Sequence, residues 1–312
     1  MKPYIVFFTD FSHGFGPLEP VYRIFEKDPT FDATLILWEK STDGLGGTGF
    51  SLGPIGVNRK PDVLVVFRNW WGPENKAGIK ARKLGIPVVM IDHGMLMVGV
   101  PIRHSYRSSI YPSNVGCLWS HLHLEMFRRL NKNDDFVVTG NPLYDQMIDY
   151  VPLEIDVPDE FALLLTGRSQ TKFLRPSAEA LNKIMPVVAK IHPVDTERDY
   201  YVKRYQTFDD YRTLLPLLCR AKIIIASLSS GWIPALFWKK PIFIHGFEEE
   251  DLRFNEFVDN YSHIFNFKQA AAWSDDIIEN AIRPTKEDFE LFGHTLDGKN
   301  AERTANVIKG YI

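Results

Sequence analysis

The chain is poor in cysteine and contains no long apolar run. Its 312 residues include only two cysteines, Cys117 and Cys219. Both stand in apolar contexts, which favours buried, reduced thiols and a reducing compartment. No segment approaches the roughly 20 apolar residues of a membrane-spanning helix, and the first apolar run is too short for a signal peptide. These absences predict a cytoplasmic protein, in which any membrane contact would be peripheral.

Several common kinds of site are also missing. No set of His, Cys or Asp residues has the spacing of metal ligands, and no Asp-x-Asp motif occurs at a predicted strand end. The glycine-rich stretch 43–56 lacks the Gly-Lys-Ser/Thr ending of a P-loop, and 227–231 does not match the Gly-x-Ser-x-Gly of a serine hydrolase. The formal net charge of -3 argues against binding nucleic acid by bulk electrostatics.

What the chain does have is length and apolar content enough for two domains. It is 45% hydrophobic, and about 150 residues per domain is a usual size. Short apolar runs alternate with helical patterns in both halves, which predicts parallel, doubly wound sheets. The segment 151–160, with two prolines and four acidic residues, is the predicted linker. We therefore predict domains over residues 1–152 and 160–312.

Polar residues follow two predicted strands in the second half of the chain. One strand ends in Lys190, Ile191, His192 and Pro193, and another, 223–226, opens onto a serine-rich turn. Ligands bind at the carboxyl edge of an open parallel sheet. Because side chains alternate along a strand, Lys190 and His192 point to the same side. Pro193 biases His192 toward an extended backbone, which holds the imidazole at the strand tip.

The serine-rich turn suits an anion. It contains Ser227, Ser229 and Ser230, and Ser229 or Ser230 fits the N-cap of a helix predicted through 232–237. A helix N-terminus offers N–H groups and a partial positive charge, to which the serines add hydroxyl groups. Together with the neighbouring strand tip, this turn indicates a site for a nucleotide diphosphate.

Two more strand ends carry candidate ligand-binding groups. Gly167 and Arg168 follow the predicted strand 161–165, and His245 ends the strand 241–245. Arg168, with other cations close in sequence, is placed to hold a diphosphate through charge-assisted hydrogen bonds. The same cluster also fits an ordinary charged helix surface.

The order of these motifs resembles that of a known superfamily. Lys-x-His-Pro, a strand into Ser-x-Ser-Ser, a helix and a Lys-Pro pair follow one another as in the nucleotide-binding half of GT-B glycosyltransferases. The likeness is greatest to the CDP-glycerol glycerophosphotransferases and the capsule-type sialyl- and Kdo-transferases. It extends to Asp-His-Gly at 92–94, Gly-Asn-Pro at 140–142 and Asp-Gly at 297–298. It implies two Rossmann-like, doubly wound domains with an interdomain cleft, in a fold whose last helix commonly crosses back to the first domain. The polar clusters at the strand ends place the nucleotide mainly in residues 160–250.

The reacting groups are expected in the first half. His93 follows the predicted strand 86–91, and an ordinary histidine pKa near 6.5 suits a general base. In the CDP-glycerol transferases a His-Gly at this position is thought essential, and Asp92 is placed to orient the imidazole. The resemblance implies that the loop after the first strand faces the cleft, so Asp10 and His13 are alternative candidates for the base or for acceptor contacts. Both also fit a simple turn and helix cap.

These features predict a metal-independent transferase that needs no added cofactor. It would move a sugar or polyol phosphate from a nucleotide-sugar or CDP-polyol donor to an acceptor hydroxyl in surface polysaccharide synthesis. The acceptor stays open among a glycan, a lipid-linked molecule and a nucleic acid. Three alternatives remain: a transferase acting on modified bases in DNA, an enzyme like the UDP-GlcNAc 2-epimerases, and a non-catalytic nucleotide-binding module. The epimerases carry paired glutamates on the helix where this chain has 232–236.

Overall fold

The computed structural model describes residues 1–10, 15–38, 59–67, 72–92, 113–130, 135–167, 171–192, 195–227, 230–245, 258–267 and 273–312. Within these ranges the chain forms two six-stranded sheets in which all neighbouring strands are parallel. The predicted α/β fold with two doubly wound parallel sheets is confirmed.

The first sheet is built from the first half of the chain. Its strands are β1 (Tyr4–Asp10), β2 (Asp32–Trp38), β3 (Val63–Phe67), β4 (Val88–Ile91), β5 (Val115–Leu118) and β6 (Phe136–Val138). Their order in the sheet is β2-β1-β3-β4-β5-β6. The helices of this half are α1 (Phe15–Lys27), α2 (Gly72–Lys83), α3 (His121–Leu130) and a 3-10 helix (Pro142–Met147). Strands β3, β4 and β5 are buried at every position, as expected of parallel strands covered on both faces.

The core of this half follows from strand and helix periodicity. Alternate residues of the central strands enter one cluster, including Ile5, Phe7, Val63, Val65, Val89 and Ile91. Leu18, Val21 and Phe25 of α1, spaced i, i+3 and i+7, cover them. A glycine after a helical pattern predicts a helix stop, and Gly85, whose φ of +66° lies in the left-handed region, follows the end of α2.

The second sheet is built in the same way from later residues. Its strands are β7 (Ala162–Leu165), β8 (Val187–Lys190), β9 (Gln206–Phe208), β10 (Ile223–Ala226), β11 (Ile242–Ile244) and β12 (Asn266–Phe267). Their order is β12-β11-β10-β7-β8-β9. The helices are α4 (Thr171–Leu181), α5 (Arg198–Val202), α6 (Leu214–Arg220), α7 (Ile233–Phe237), α8 (Asp275–Glu279) and α9 (Lys286–Gly293), with 3-10 turns at Tyr211–Thr213 and Ser230–Trp232.

The chain divides into two compact units. One holds the described residues up to Asp149 together with Phe292–Ile312, and the other is Tyr150–Leu291. The last helix, α10 (Asn300–Lys309), therefore belongs with the first sheet, and its Ala301, Ala305 and Ile308 enter the same core cluster as α1. Among the described residues, no helix combines the length and apolar character needed to cross a membrane.

The sequence also predicts helices over 177–184 and 208–220, and both predictions are wrong in their limits. The helix predicted over 177–184 is α4, which begins six residues earlier and contains Pro176. Leu174, Ala178 and Leu181 bury one face of α4, and this packing outweighs the backbone bond that the proline removes. The helix predicted over 208–220 is instead the end of β9, a 3-10 turn and the short helix α6.

Candidate functional site

The second sheet has a topological switch point between β7 and β10. From β7 the chain proceeds outward to β8 and β9, and it then returns to the other side of β7 as β10. The two central strands pair in register, with Leu165 opposite Ala226. At such a point the loops leave the sheet in opposite directions and open a crevice at its carboxyl edge, where ligands bind in open α/β sheets. Thr166 and Gly167 follow β7 at this point, and Ser227 follows β10.

Gly167 and Ser227 approach each other closely at the switch point. A Cβ atom added to Gly167 would lie 2.8 Å from the Ser227 Oγ atom, a distance that real Cβ contacts do not show. Both residues are buried. The predicted ligand-binding residues Gly167 and Ser227 are thus brought together, and the absence of a side chain at 167 leaves room beside the hydroxyl group.

His192 is fixed against the end of β7. Its backbone N–H donates to Thr166 Oγ1 over 2.9 Å, and its carbonyl accepts from the Asp195 N–H at 2.9 Å. The Thr166 N–H in turn donates to the Lys190 carbonyl at 3.1 Å. The predicted strand tip therefore lies beside the switch point. Thr166 was missed in the sequence, although a hydroxyl residue directly before a strand-end glycine was a usable signal.

Lys190 ends β8 and is almost fully buried. Its Nζ atom donates to the carbonyls of Ile191 at 3.3 Å and Asp209 at 3.2 Å, which occupies two of its three N–H donors. Desolvation lowers the pKa of Lys190 from 10.5 to about 8, while Asp209 and Asp210 oppose that change. The ammonium thus ties β8 to the segment after β9, and its predicted phosphate contact stays a prediction.

His245 follows β11 and is held by two residues that the sequence did not suggest. Its backbone N–H donates to the Ala226 carbonyl at 2.8 Å, and its Nε2 atom lies 3.4 Å from Ser177 Oγ. The Trp273 indole N–H donates to the same hydroxyl oxygen at 3.0 Å. Ser177 lies three residues after Leu174 on the buried side of α4, and a polar residue at that spacing was the available signal.

The predicted helix cap at the serine turn is wrong for Ser230. This residue opens a 3-10 turn, and the N-cap of α7 is Trp232, which makes no side-chain capping bond. Because α7 is only five residues long, close to the length predicted, its dipole is weak. An anion at this turn would depend on hydroxyl and backbone N–H groups rather than on a strong helix dipole.

Several predicted site residues lie outside the described residues. They are His13, His93, Arg168, Pro193 and Ser229. Arg175, a cation near Arg168 in sequence, forms an ion pair with Glu197 at 2.8 Å and lies over the Tyr200 ring at 4.1 Å. Those contacts engage its guanidinium at α4 and α5.

The first sheet also carries polar residues at its carboxyl edge. Its strand order reverses between β1 and β3, and Asp10 is the last residue of β1. The neighbouring Thr9 Oγ1 donates to Glu74 Oε1 of α2 at 3.4 Å, and both residues are fully buried. Asp92 follows β4, is fully buried, and lies 3.1 Å from His123 of α3. Glu74 and His123 were both missed, although His123 precedes Phe127 by four residues on the apolar face of its helix.

Comparison with known proteins gives structural relatives only. No protein-family model matches the sequence, and no curated protein matches it. A UDP-GlcNAc 2-epimerase from Methanocaldococcus jannaschii, solved with UDP-GlcNAc and UDP, is similar at 16% identity and a TM-score of 0.64, covering 99% of this chain and 100% of that one. The S. aureus MnaA-UDP structure is similar at 15% identity and a TM-score of 0.66, covering 100% and 97%.

A third relative is a polymerase. The wall teichoic acid polymerase TagF, a variant soaked with CDPG, is similar at 12% identity and a TM-score of 0.63, covering 98% of this chain and 88% of that one. At such identities the likeness shows the fold alone. The chain has the GT-B fold, built from two Rossmann-like domains, as the order of its motifs predicted.

Proposed function

We propose that this protein is an enzyme that binds a nucleotide-activated donor at the carboxyl edge of the second sheet and transfers a sugar or polyol phosphate to an acceptor hydroxyl. The observation that carries the proposal is the switch point between β7 and β10, where Gly167 leaves space beside the buried Ser227 hydroxyl. Similar folds that were solved with UDP-GlcNAc, UDP or CDPG support a nucleotide-linked ligand. Surface polysaccharide synthesis is the process in which we place the reaction.

The donor phosphates would be held by short polar contacts. Ser227, Ser229 and Ser230 would supply hydroxyl and N–H groups. His192 would supply its imidazole, and its backbone N–H is already hydrogen-bonded to Thr166 Oγ1. Hydrogen bonds to a charged phosphate contribute about 1.5–3 kcal/mol each. The same groups would stabilise the charge that develops on the leaving nucleotide, so we propose a reaction without a bound metal or added cofactor.

The acceptor would be activated from the first sheet. An alcohol is a weak nucleophile at neutral pH, and a positioned base accelerates its attack by roughly 10² to 10⁴-fold. We assign that role to His93, with Asp10 as the second candidate. In the forward step the acceptor oxygen bonds to the anomeric carbon of a nucleotide-sugar, or to the distal phosphorus of a CDP-polyol, and its proton passes to the base. The bond from that carbon or phosphorus to the phosphate oxygen of the leaving nucleotide breaks, and the electron pair stays on that oxygen.

A 2-epimerase is the second candidate. Of the three relatives named above, one is a UDP-GlcNAc 2-epimerase solved with UDP-GlcNAc and UDP, and another is solved with UDP. One local feature argues against it. The helix after the serine turn carries Ile233, Pro234, Ala235 and Leu236, all buried, in the place where the epimerases have paired glutamates. An apolar, buried helix start offers no acid for proton exchange at a sugar carbon.

Titration calorimetry with CMP, CDP, UDP and GDP tests the donor site and identifies the base. We expect His192→Ala to weaken binding of the preferred nucleotide by about 10- to 100-fold, the loss of a charged hydrogen bond. His263→Ala is the matched control, because His263 is an exposed histidine of the same unit. Affinity that is unchanged for every nucleotide would remove His192 from the site.

Product analysis separates the alternatives. With a matching donor and no acceptor we expect slow release of free nucleotide, and faster release once an acceptor alcohol is present. Formation of the 2-epimer would identify an epimerase instead. Nucleotide binding with neither product would favour a non-catalytic module, and salt-dependent DNA binding with transfer to a modified base would favour the DNA-acting transferase.

A further inference from the structure

Asp92 and His123 form a fully buried pair at the tip of β4. His123 Nδ1 accepts the Trp119 backbone N–H at 3.3 Å, so its ring hydrogen is placed on Nε2, the nitrogen that lies 3.1 Å from Asp92 Oδ2. That contact is short but lacks the alignment of a hydrogen bond. Neither carboxylate oxygen of Asp92 has a hydrogen-bond partner among the described residues.

The backbone of Asp92 is fixed from the same side. Its N–H donates to the Cys117 carbonyl at 3.1 Å, and its carbonyl accepts the Trp119 indole N–H at 2.9 Å. That carbonyl belongs to the peptide group that joins Asp92 to residue 93. Because a peptide group is planar, fixing its oxygen and the preceding N–H restrains the orientation of the Asp92 backbone.

The corner that makes these contacts is itself well packed. The His123 N–H donates to Ser120 Oγ at 3.2 Å, and the His123 ring packs edge-on against Phe127 with centroids 4.9 Å apart. The Trp119 ring packs in the same way against Tyr144 at 5.6 Å. The side chains of Trp119 and His123 are therefore held before they contact Asp92.

Stability alone is a poor explanation for this pair. A buried acid–base pair costs desolvation, and apolar replacements of similar volume are often neutral or stabilising. Buried polar atoms without hydrogen-bond partners are rare in proteins. Asp92, which carries two of them, directly precedes His93, the residue to which we assigned the role of base.

We propose that Trp119 and His123 are positioning residues, which act through Asp92 to fix the peptide that presents residue 93 to the acceptor. The catalytic part of this inference rests on the proposed function, in which His93 is the base. The positioning part is a statement about the β4 tip alone. Neither Trp119 nor His123 is expected to touch the donor, which we place at the second sheet.

Amide hydrogen exchange tests the positioning directly. We expect Trp119→Phe and His123→Gln to speed exchange in a peptide covering 91–95 by about tenfold, the factor for loss of one hydrogen bond. Peptides from Tyr150–Leu291 should not change. His121→Gln is the matched control, since His121 is exposed on the same helix. Unchanged exchange at 91–95 in both variants would overturn the proposal.

Kinetics test the catalytic part. We expect the same two variants to lower kcat at least tenfold while donor affinity stays at the wild-type value. Asp92→Asn keeps the size of the side chain and an oxygen beside His123 Nε2, so it should retain more activity and exchange protection than Asp92→Ala. The comparison of Asp92→Asn with Asp92→Ala also takes the place of His123→Gln if that variant fails to fold. Normal kcat in Trp119→Phe and Asp92→Ala would overturn the catalytic part. A wild-type protein without turnover on any donor would instead refute the proposed function. In that case the hydrogen-exchange result alone would decide whether Trp119 and His123 position the β4 tip.

Discussion

Removing the Asp145 carboxylate should loosen the last helix from the first sheet. The carboxylate accepts the Asn300 N–H at 3.0 Å and the Ala301 N–H at 2.8 Å, although it is 155 residues away in the chain. The N-cap residue of α10, Lys299, makes no side-chain capping bond. Asp145 therefore supplies from a distance the cap that α10 lacks locally.

The size of the effect follows from these contacts. Loss of a helix cap costs about 0.5–2 kcal/mol, and loss of a negative charge near a helix N-terminus adds about 0.3–1 kcal/mol. Burial raises the pKa of the Asp145 carboxyl, and the backbone bonds from Ala301 and Asn300 oppose that change. The cost of desolvating the Asp145 carboxylate thus offsets part of the stabilisation that the cap provides. We expect Asp145→Ala to lower the free energy of unfolding by about 2 kcal/mol.

Neighbouring bonds should fail with the cap. Asn300 Nδ2 donates to the Asn141 carbonyl at 3.1 Å, and Arg303 Nε donates to the Thr139 carbonyl at 2.9 Å. Both bonds depend on the position of the first turn of α10. The loss should therefore appear first as detachment of this helix, before the whole unit unfolds.

Two measurements check this prediction. Urea unfolding gives the global change, and limited proteolysis of the stretch 294–299 reports detachment of α10. Asp149→Ala is the control, because Asp149 is exposed four residues further along the same segment. Asp145→Asn keeps one acceptor oxygen and should fall between the two. If Asp145→Ala and Asp149→Ala agree within about 0.5 kcal/mol, the size expected of an ordinary surface substitution, the capping argument is refuted.

Two further predictions concern the second sheet. Gly167→Ala should lower nucleotide affinity at least tenfold, because the new Cβ would lie 2.8 Å from Ser227 Oγ. Adding Ser227→Ala should recover part of that loss. Wild-type affinity for Gly167→Ala in calorimetry would show that the close approach of Gly167 and Ser227 plays no part in nucleotide binding. For Lys190, whose pKa falls from 10.5 to about 8 on folding, the unfolded chain binds more protons between those values, so stability should rise with pH across that window. Lys190→Met lacks this rise. Urea unfolding at pH 7.5 and 10 should therefore show the wild type gaining about 2 kcal/mol of unfolding free energy relative to the variant, and an equal difference at both pH values would contradict the pKa assignment.

The strands and long helices were the parts most readable from the sequence. The sequence predicts strands over 63–67 and 223–226 and a helix over 121–130, and the structure has all three with these limits. Apolar runs and helical spacing are local signals. The strand β12 has only two residues and α5 only five. Elements this short span little more than one period of their pattern, so no repeated pattern in the sequence indicated them.

The site was readable only in part for a different reason. His192 and Gly167 were named because each follows an apolar strand, which is again a local signal. Their partners were not: Thr166 reaches His192 across 26 residues, and Ser177 reaches His245 across 68. Those distances are closed by the order of strands in the sheet, and a single sequence does not state that order.

The place of Phe292–Ile312 in the first unit has a consequence for the order in which the protein matures on the ribosome. The face of α1 that carries Leu18 and Phe25 shares its core with Ala305 and Ile308, which are translated after all of Tyr150–Leu291. Ala305 lies 280 residues after Phe25, so at about 5–20 residues per second that face waits roughly 14–56 s for its cover. The unit that is begun second is thus the first that can be finished, and the nascent first sheet needs protection from aggregation through that interval.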